Sequence, residues 1–196
     1  MKFTNEIVVA AGRERVWELF QDVHAVVPCL PGAEVTGQDP DGTVHGLMKS
    51  KLGPLSLTFA GKATLTYDES ASTVTIDGSG VDKRGGSRAK VTVVARLHPQ
   101  GDSTRVTLDS DLTLSGKAAQ FGRTGLIEEV AGRMLQEFAS CLESKMAAGT
   151  AEQAAAITAA PPNSMRLLMA SLVAWVRKKF ARRAQGNRRQ ESQSAA

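Results

Sequence analysis

An α+β fold, a curved antiparallel sheet wrapped around a long C-terminal helix, is predicted by three features of the 196-residue sequence. Apolar and polar residues alternate over several stretches between residues 55 and 114, as in a sheet with one dry and one wet face. Turn-forming residues separate those stretches. From Lys117 the apolar period lengthens to 3.6 and holds to about Ala148.

The elements follow in order. Lys2 to Ala11 reads as a strand, with Phe3, Ile7 and Val9 on one parity, and Gly12-Arg13-Glu14-Arg15 opens a helix carrying Val16, Trp17, Leu19 and Phe20. A second short helix runs from Asp22 to Leu30 and stops at Pro31-Gly32. Leu55 to Tyr67 places Leu57, Phe59, Gly61, Ala63 and Leu65 on one face, and Val74 with Ile76 continues that parity. Ala89 to Leu97 and Val106 to Leu114 repeat the pattern. Turns are expected at Asp39-Pro40-Asp41-Gly42, Asp68-Glu69-Ser70, Lys83-Arg84-Gly85-Gly86 and Pro99-Gln100-Gly101-Asp102, and at Gly78-Ser79-Gly80 as a turn or bulge. Phe121, Ile127, Val130, Met134, Phe138 and Leu142 then stripe a helix of roughly 30 residues, about 45 Å long. A stripe of that length needs an equally long apolar partner, which the dry face of the sheet provides.

Composition narrows the function classes. Apolar residues make up 42%, enough for a buried core, and aromatics only 5%, too few for a base-stacking platform. No apolar run reaches the roughly 20 residues of a membrane span, and no secretory signal is visible at the N-terminus. Cys29 and Cys141 lie far apart and are expected as reduced, buried thiols of a cytosolic protein. The net charge of +4 divides unevenly: residues 1–147 carry −2 and residues 148–196 carry +6. The basic character therefore belongs to the tail.

Reactive groups are sparse. His24, His45 and His98 have no second ligand at i+2, i+3 or i+4, so no metal site is expected. Neither cysteine has a neighbouring histidine as base, and no serine sits in a G-x-S-x-G elbow. Glu128 and Glu129, and Asp109 and Asp111 on the wet parity, are not aimed into a cleft as general acid–base chemistry requires. No catalytic residue is assigned.

The dry faces can be core or can line a cavity. Gly61, Ala63, Ala89, Ala95, Ala131 and Ala139 are small where a filled core would carry bulk. They leave room for a gap lined by Leu57, Phe59, Leu65, Val93, Leu112, Phe121, Ile127, Met134 and Phe138, with Met134 adaptable to a guest. On this reading residues 1–147 form the ligand-binding domain and residues 148–163 a linker or frayed helical extension. Residues 164–184 form a separate amphipathic helix, oily at Met165, Leu168, Leu172, Trp175 and Phe180 and basic at Arg177, Lys178 and Lys179. Too short to span a bilayer, it suits the membrane interface. A partner protein is the alternative surface for it, and residues 185–196 are expected to be disordered.

Several motifs resemble the G subunit of carbon monoxide dehydrogenase, a family of the polyketide-cyclase/START-like (Bet v 1-like, helix-grip) superfamily. They are Cys29-Leu30-Pro31-Gly32-Ala33-Glu34, the hairpin Lys49-Ser50-Lys51-Leu52-Gly53-Pro54 with Phe59-Ala60-Gly61, and Gly116-Lys117-Ala118-Ala119-Gln120-Phe121-Gly122-Arg123 followed by Ile127-Glu128-Glu129-Val130-Ala131. The resemblance covers residues 1 to about 147 and departs at Arg123-Thr124-Gly125-Leu126, where one residue is extra. It implies a non-catalytic accessory protein of a molybdenum hydroxylase of the carbon monoxide dehydrogenase type, docked on the cytoplasmic face of the membrane. It also implies a quinone, menaquinone or ubiquinone, bound non-covalently in the helix-grip cavity. The partners expected are thus the dehydrogenase, inner-leaflet lipids and a hydrophobic small molecule, and not nucleic acid. The rival readings are a cyclase or aromatase acting in the same cavity and an assembly chaperone for the dehydrogenase.

Overall fold

The computed structural model describes residues 1–52, 55–123 and 125–159. The chain divides into two units, Met1–Ala160 and Pro161–Ala196. The second unit lies outside the described residues, and with it the candidate membrane contacts from Met165 to Phe180.

The chain runs β1 (Lys2–Val9), α1 (Arg13–Gln21), α2 (Val23–Val26), a 3-10 turn (Val27–Cys29), β2 (Ala33–Gln38), β3 (Val44–Leu52), β4 (Leu55–Asp68), β5 (Thr73–Asp82), β6 (Ser87–Gln100) and β7 (Ser103–Ser115). A 3-10 segment (Gly116–Arg123), α3 (Leu126–Ala147) and α4 (Ala151–Ala156) follow. The strands form one seven-stranded antiparallel sheet in the order β1-β7-β6-β5-β4-β3-β2. From β2 to β7 each strand pairs with the next through a short hairpin, and β1 closes the order beside β7.

Local chemistry fixes the joins. The Asp22 carboxylate accepts the Ala25 N–H at 3.0 Å and caps α2. Asp68 accepts from the Ser70 hydroxyl and the Ala71 N–H to close the β4–β5 turn. Buried Asp82 accepts the N–H groups of Arg84 and Gly85 and holds the β5–β6 turn. Across that turn the Ser87 hydroxyl accepts the Ala118 N–H, tying the 3-10 segment to the sheet.

Four expectations need correction. Cys29 and Cys141 are not free thiols: they form a disulfide, with Cα atoms 5.4 Å apart, joining the 3-10 turn after α2 to α3. The final helix is not one 30-residue rod. It is interrupted between Arg123 and Leu126, where Gly125 takes φ +67°, a left-handed conformation that ends regular helix for side-chain-bearing residues. α3 proper has 22 residues and is about 33 Å long. Gly78-Ser79-Gly80 is neither turn nor bulge but regular β5, paired on both sides. Pro99 and Gln100 belong to β6, leaving Gly101 and Asp102 as the turn.

The stretch expected as a linker begins docked. Residues 151–156 form α4, capped by the Thr150 hydroxyl. The buried Lys145 ammonium donates to the Ala154 carbonyl at 3.0 Å, and the Ala159 N–H donates to the Pro28 carbonyl at 2.8 Å. Ile157 packs against the core.

Candidate functional site: the inner face of the grip

The register aligns inward residues in rows across the sheet. One row is Gly46, Gly61, Gly80, Ala89 and Leu114; the next is Val44, Ala63, Gly78, Val91 and Leu112. Leu65, Ile76, Val93, Ser110 and Phe3 follow, then Tyr67, Val74, Ala95, Leu108 and Asn5. The first row explains the curl. A Cβ added at Gly61 would run into the Ser79 carbonyl oxygen of β5, so only glycine permits that approach.

Burial along these rows is uneven. At one end Val74, Ala95, Leu97, Val106 and Leu108 are buried beneath Trp17, Phe20, Phe138 and Leu142, in the cluster that holds the disulfide. Trp17 meets Tyr67 edge-on at 6.2 Å, and Phe20 meets Phe138 at 6.1 Å. At the other end Leu57, Ala118 and Ile127 form a smaller buried cluster. Between them Ala63, Leu65, Ile76, Val91, Val93 and Leu112 are only half-buried, although they sit on strands with a neighbour on each side. Interior-strand residues of a filled core would be closed off from solvent. The middle of the inner face is therefore closed less tightly than its two ends, and Ala131 and Met134 of α3 are half-buried as well.

The expected lining divides accordingly. Leu57, Phe59, Leu112, Phe121 and Ile127 come together in the smaller cluster; Leu65, Val93 and Phe138 join the larger one. Met134 belongs to neither and lies on α3 between Ile127 and Phe138. Of the small residues expected to leave space, Ala95 and Ala139 are instead packed in the core, while Gly61, Ala63, Ala89 and Ala131 are half-buried.

One polar group was missed. Asn5 lies on the inner face of β1, and its buried Oδ1 has no hydrogen-bond partner among the described residues. A Cβ at Gly132 would stand 3.5 Å from the Asn5 amide nitrogen, so α3 passes close by. The signal was in the sequence: Asn5 breaks the apolar parity of Phe3, Ile7 and Val9.

Asp82 and Lys145 are buried, whereas the side-chain ion pairs lie on exposed groups. Asp109 accepts from the Thr4 hydroxyl at 2.8 Å and from Arg96, and these two partners, Thr4 foremost, hold its carboxyl below the usual range. The Tyr67 phenol is pushed up by burial, then by the Asp22 carboxylate, and donates to the Phe20 carbonyl. The histidines are dispersed: His24 meets Gln38, His45 meets Asp39 at 2.7 Å, and His98 meets Thr107. Among the described residues no helix is long and apolar enough to cross a membrane.

The profile of the family formed by the carbon monoxide dehydrogenase G subunit (CoxG) matches residues 6–147. No curated protein matches the sequence significantly. Among solved structures, a conserved protein from Geobacillus kaustophilus superposes with a TM-score of 0.60 at 15% identity, covering 72% of this chain and 95% of its own. A Thermus thermophilus protein gives 0.55 at 16% identity, covering 76% and 100%. The Zhui aromatase/cyclase of a Streptomyces species gives 0.54 at 16% identity, covering 76% and 98%. At such identities the likeness is one of fold, and the fold is the helix grip.

Proposed function

Because the chain belongs to the CoxG family, that of the carbon monoxide dehydrogenase G subunit, we propose that it is a non-catalytic accessory protein that shelters a hydrophobic molecule, a quinone, for a molybdenum-hydroxylase dehydrogenase. The observation that carries this reading is the half-buried apolar middle of the inner face. A flat, oily ring fits between Leu65, Val93 and Met134, and removing it from water supplies the affinity. The Asn5 amide nitrogen donates to a carbonyl of the ring, while its buried oxygen has no partner among the described residues. Redox chemistry stays with the dehydrogenase and its own cofactors, and the quinone is the acceptor brought to it.

Residues 164–184 tether the protein to the cytoplasmic face of the membrane. Their apolar side chains insert at the interface while Arg177, Lys178 and Lys179 meet anionic headgroups. On that face the disulfide is compatible with soluble reductants because its cysteines are 0% and 6% exposed, and exchange requires access to a sulfur. Protease added to right-side-out membrane vesicles leaves the chain intact; cutting there would place it on the opposite face.

The test of the ligand is organic extraction and mass spectrometry of protein purified from its own membranes. A quinone in near-stoichiometric amount is expected. Met134→Trp, which fills the middle of the grip, lowers that yield at least tenfold while the protein stays folded. Empty wild-type protein that also fails to take up added menaquinone or ubiquinone refutes the reading.

A further inference from the structure

The outer face of the sheet carries its own feature. A depression of about 690 Å³ crosses it from β2 to β7 on the side away from α3. Its floor is apolar where Leu47, Ala60 and Val81 point outward, and Val81 is 40% exposed. Lys62, Arg88 and Lys90 rise from its walls.

These cations differ from others on the same face. Arg96 pairs with Asp109, Arg105 with Glu6 at 3.9 Å and Lys2 with Asp111 at 3.8 Å, all at the β1–β7 end. The side chains of Arg88 and Lys90 have no carboxylate or hydrogen-bond partner among the described residues, and Lys62 senses Asp41 only at longer range. Two cations without a carboxylate partner and a third with only a distant one, around an exposed apolar floor, raise the local potential and leave oily surface wet.

We propose that this groove is a docking site for an acidic segment of a partner protein, with apolar side chains on its buried edge. Shape favours a protein over a bilayer: a planar lipid surface meets a convex patch and cannot enter a depression. Nucleic acid would want several aromatic platforms, and the groove offers one ring, the His45 imidazole, already paired with the Asp39 carboxylate. The chain's own tail is excluded by sign, since residues 164–196 carry eight Lys and Arg against Glu191 alone. Six strands span about 24 Å, room for roughly 16 residues of helix or seven of extended chain. The proposal rests on the accessory-protein reading only in expecting a protein partner.

Zero-length carbodiimide cross-linking of the full chain in extracts of its own cells tests it. Lys62 and Lys90 should couple to Asp or Glu of one other protein. The triple variant Lys62→Ala/Arg88→Ala/Lys90→Ala should cut the yield about tenfold with an unchanged melting temperature, and Lys2→Ala should not. Should the triple variant fold poorly, Lys90→Gln alone gives the same reading at smaller amplitude. Cross-links spread evenly over all exposed lysines, or full yield from the triple variant, overturn the proposal. So does a triple variant whose only loss is binding to phosphatidylglycerol vesicles, which would make the groove a lipid site. A cross-linked partner that is not a dehydrogenase leaves the groove standing and counts against the proposed function. Bound quinone with no groove cross-link does the reverse.

Discussion

The C-terminal half of α3 and its N-terminal half face the same sheet but meet different surfaces. Phe138, Ala139, Cys141 and Leu142 are buried against Val74, Ala95, Leu97, Val106 and Leu108, and the disulfide to Cys29 pins them there. Before them, Ala131 and Met134 are half-buried, as are the sheet residues of the middle rows. Only Ile127, beyond that interval, is buried again. One helix thus anchors a fully buried core at one end and is less completely buried along the rest. Stability and ligand capacity are set by different turns of it, so substitutions should separate them.

The largest separation should come from the disulfide. It closes a loop of 112 residues, and replacing both cysteines with alanine should cost about 2–4 kcal/mol. For a body of this size that lowers the melting temperature by roughly 6–12 °C. Calorimetry with and without the substitutions measures it. Quinone content per folded molecule should stay unchanged, because neither sulfur lies in the middle rows. An unchanged melting point would mean that packing alone fixes the C-terminal half.

A sharper contrast pairs Leu142→Ala with Ile76→Ala. Leu142 is 0% exposed, and its truncation leaves a cavity in filled core, costing about 3 kcal/mol. Ile76 packs against the core only half-buried, so its truncation removes less burial than that of Leu142, costing about 1 kcal/mol. Urea unfolding of the two variants gives the ratio. Equal losses would show that the middle of the grip is as well filled as its end.

What the sequence disclosed, and what it withheld, follows from the range of the interactions. β4, β6 and β7 were legible because alternation is local and registers burial residue by residue. The apolar stripe of α3 was legible for the same reason, but the interruption before it was not. Phe121 and Ile127 belong to one apolar cluster from either side of the break, and only the backbone at Gly125 reveals it. Gly78-Ser79-Gly80 has turn composition, yet it lies in a strand, with Gly80 in a row of small residues four strands wide and Gly78 beside Ala63. No local pattern encodes that. The cysteine pairing depends on the 3-10 turn after α2 packing against α3, which is tertiary information. As for the candidate lining, alternation places Leu57, Phe59, Leu65, Val93 and Leu112 on one face of the sheet, but their division between two clusters depends on the packing of α3 and the 3-10 segment and has no local signal.

The smallest effect concerns how β1, the strand on which α3 mainly rests, is held in place. Asp109 on β7 binds Thr4 of β1 and Arg96 of β6, stitching three strands on the solvent side. Its carboxyl is held below the usual range in the folded protein, so the ionised form is the one that folding favours. The sign follows: the stabilisation is complete above the unfolded value of about 3.9 and is lost as pH falls through the lower folded value. Asp109→Asn removes the charge at every pH. The parent should therefore exceed it in stability at pH 7 by a small margin, and the two curves should converge below about pH 3.9. Because Asp109 is half exposed, salt should shrink the margin as well. Urea titrations at pH 7 and in the acid range, each at low and high salt, decide it. Curves that stay parallel through the acid range would mean that β1 is held by the buried end of α3 alone, with nothing added from the wet face.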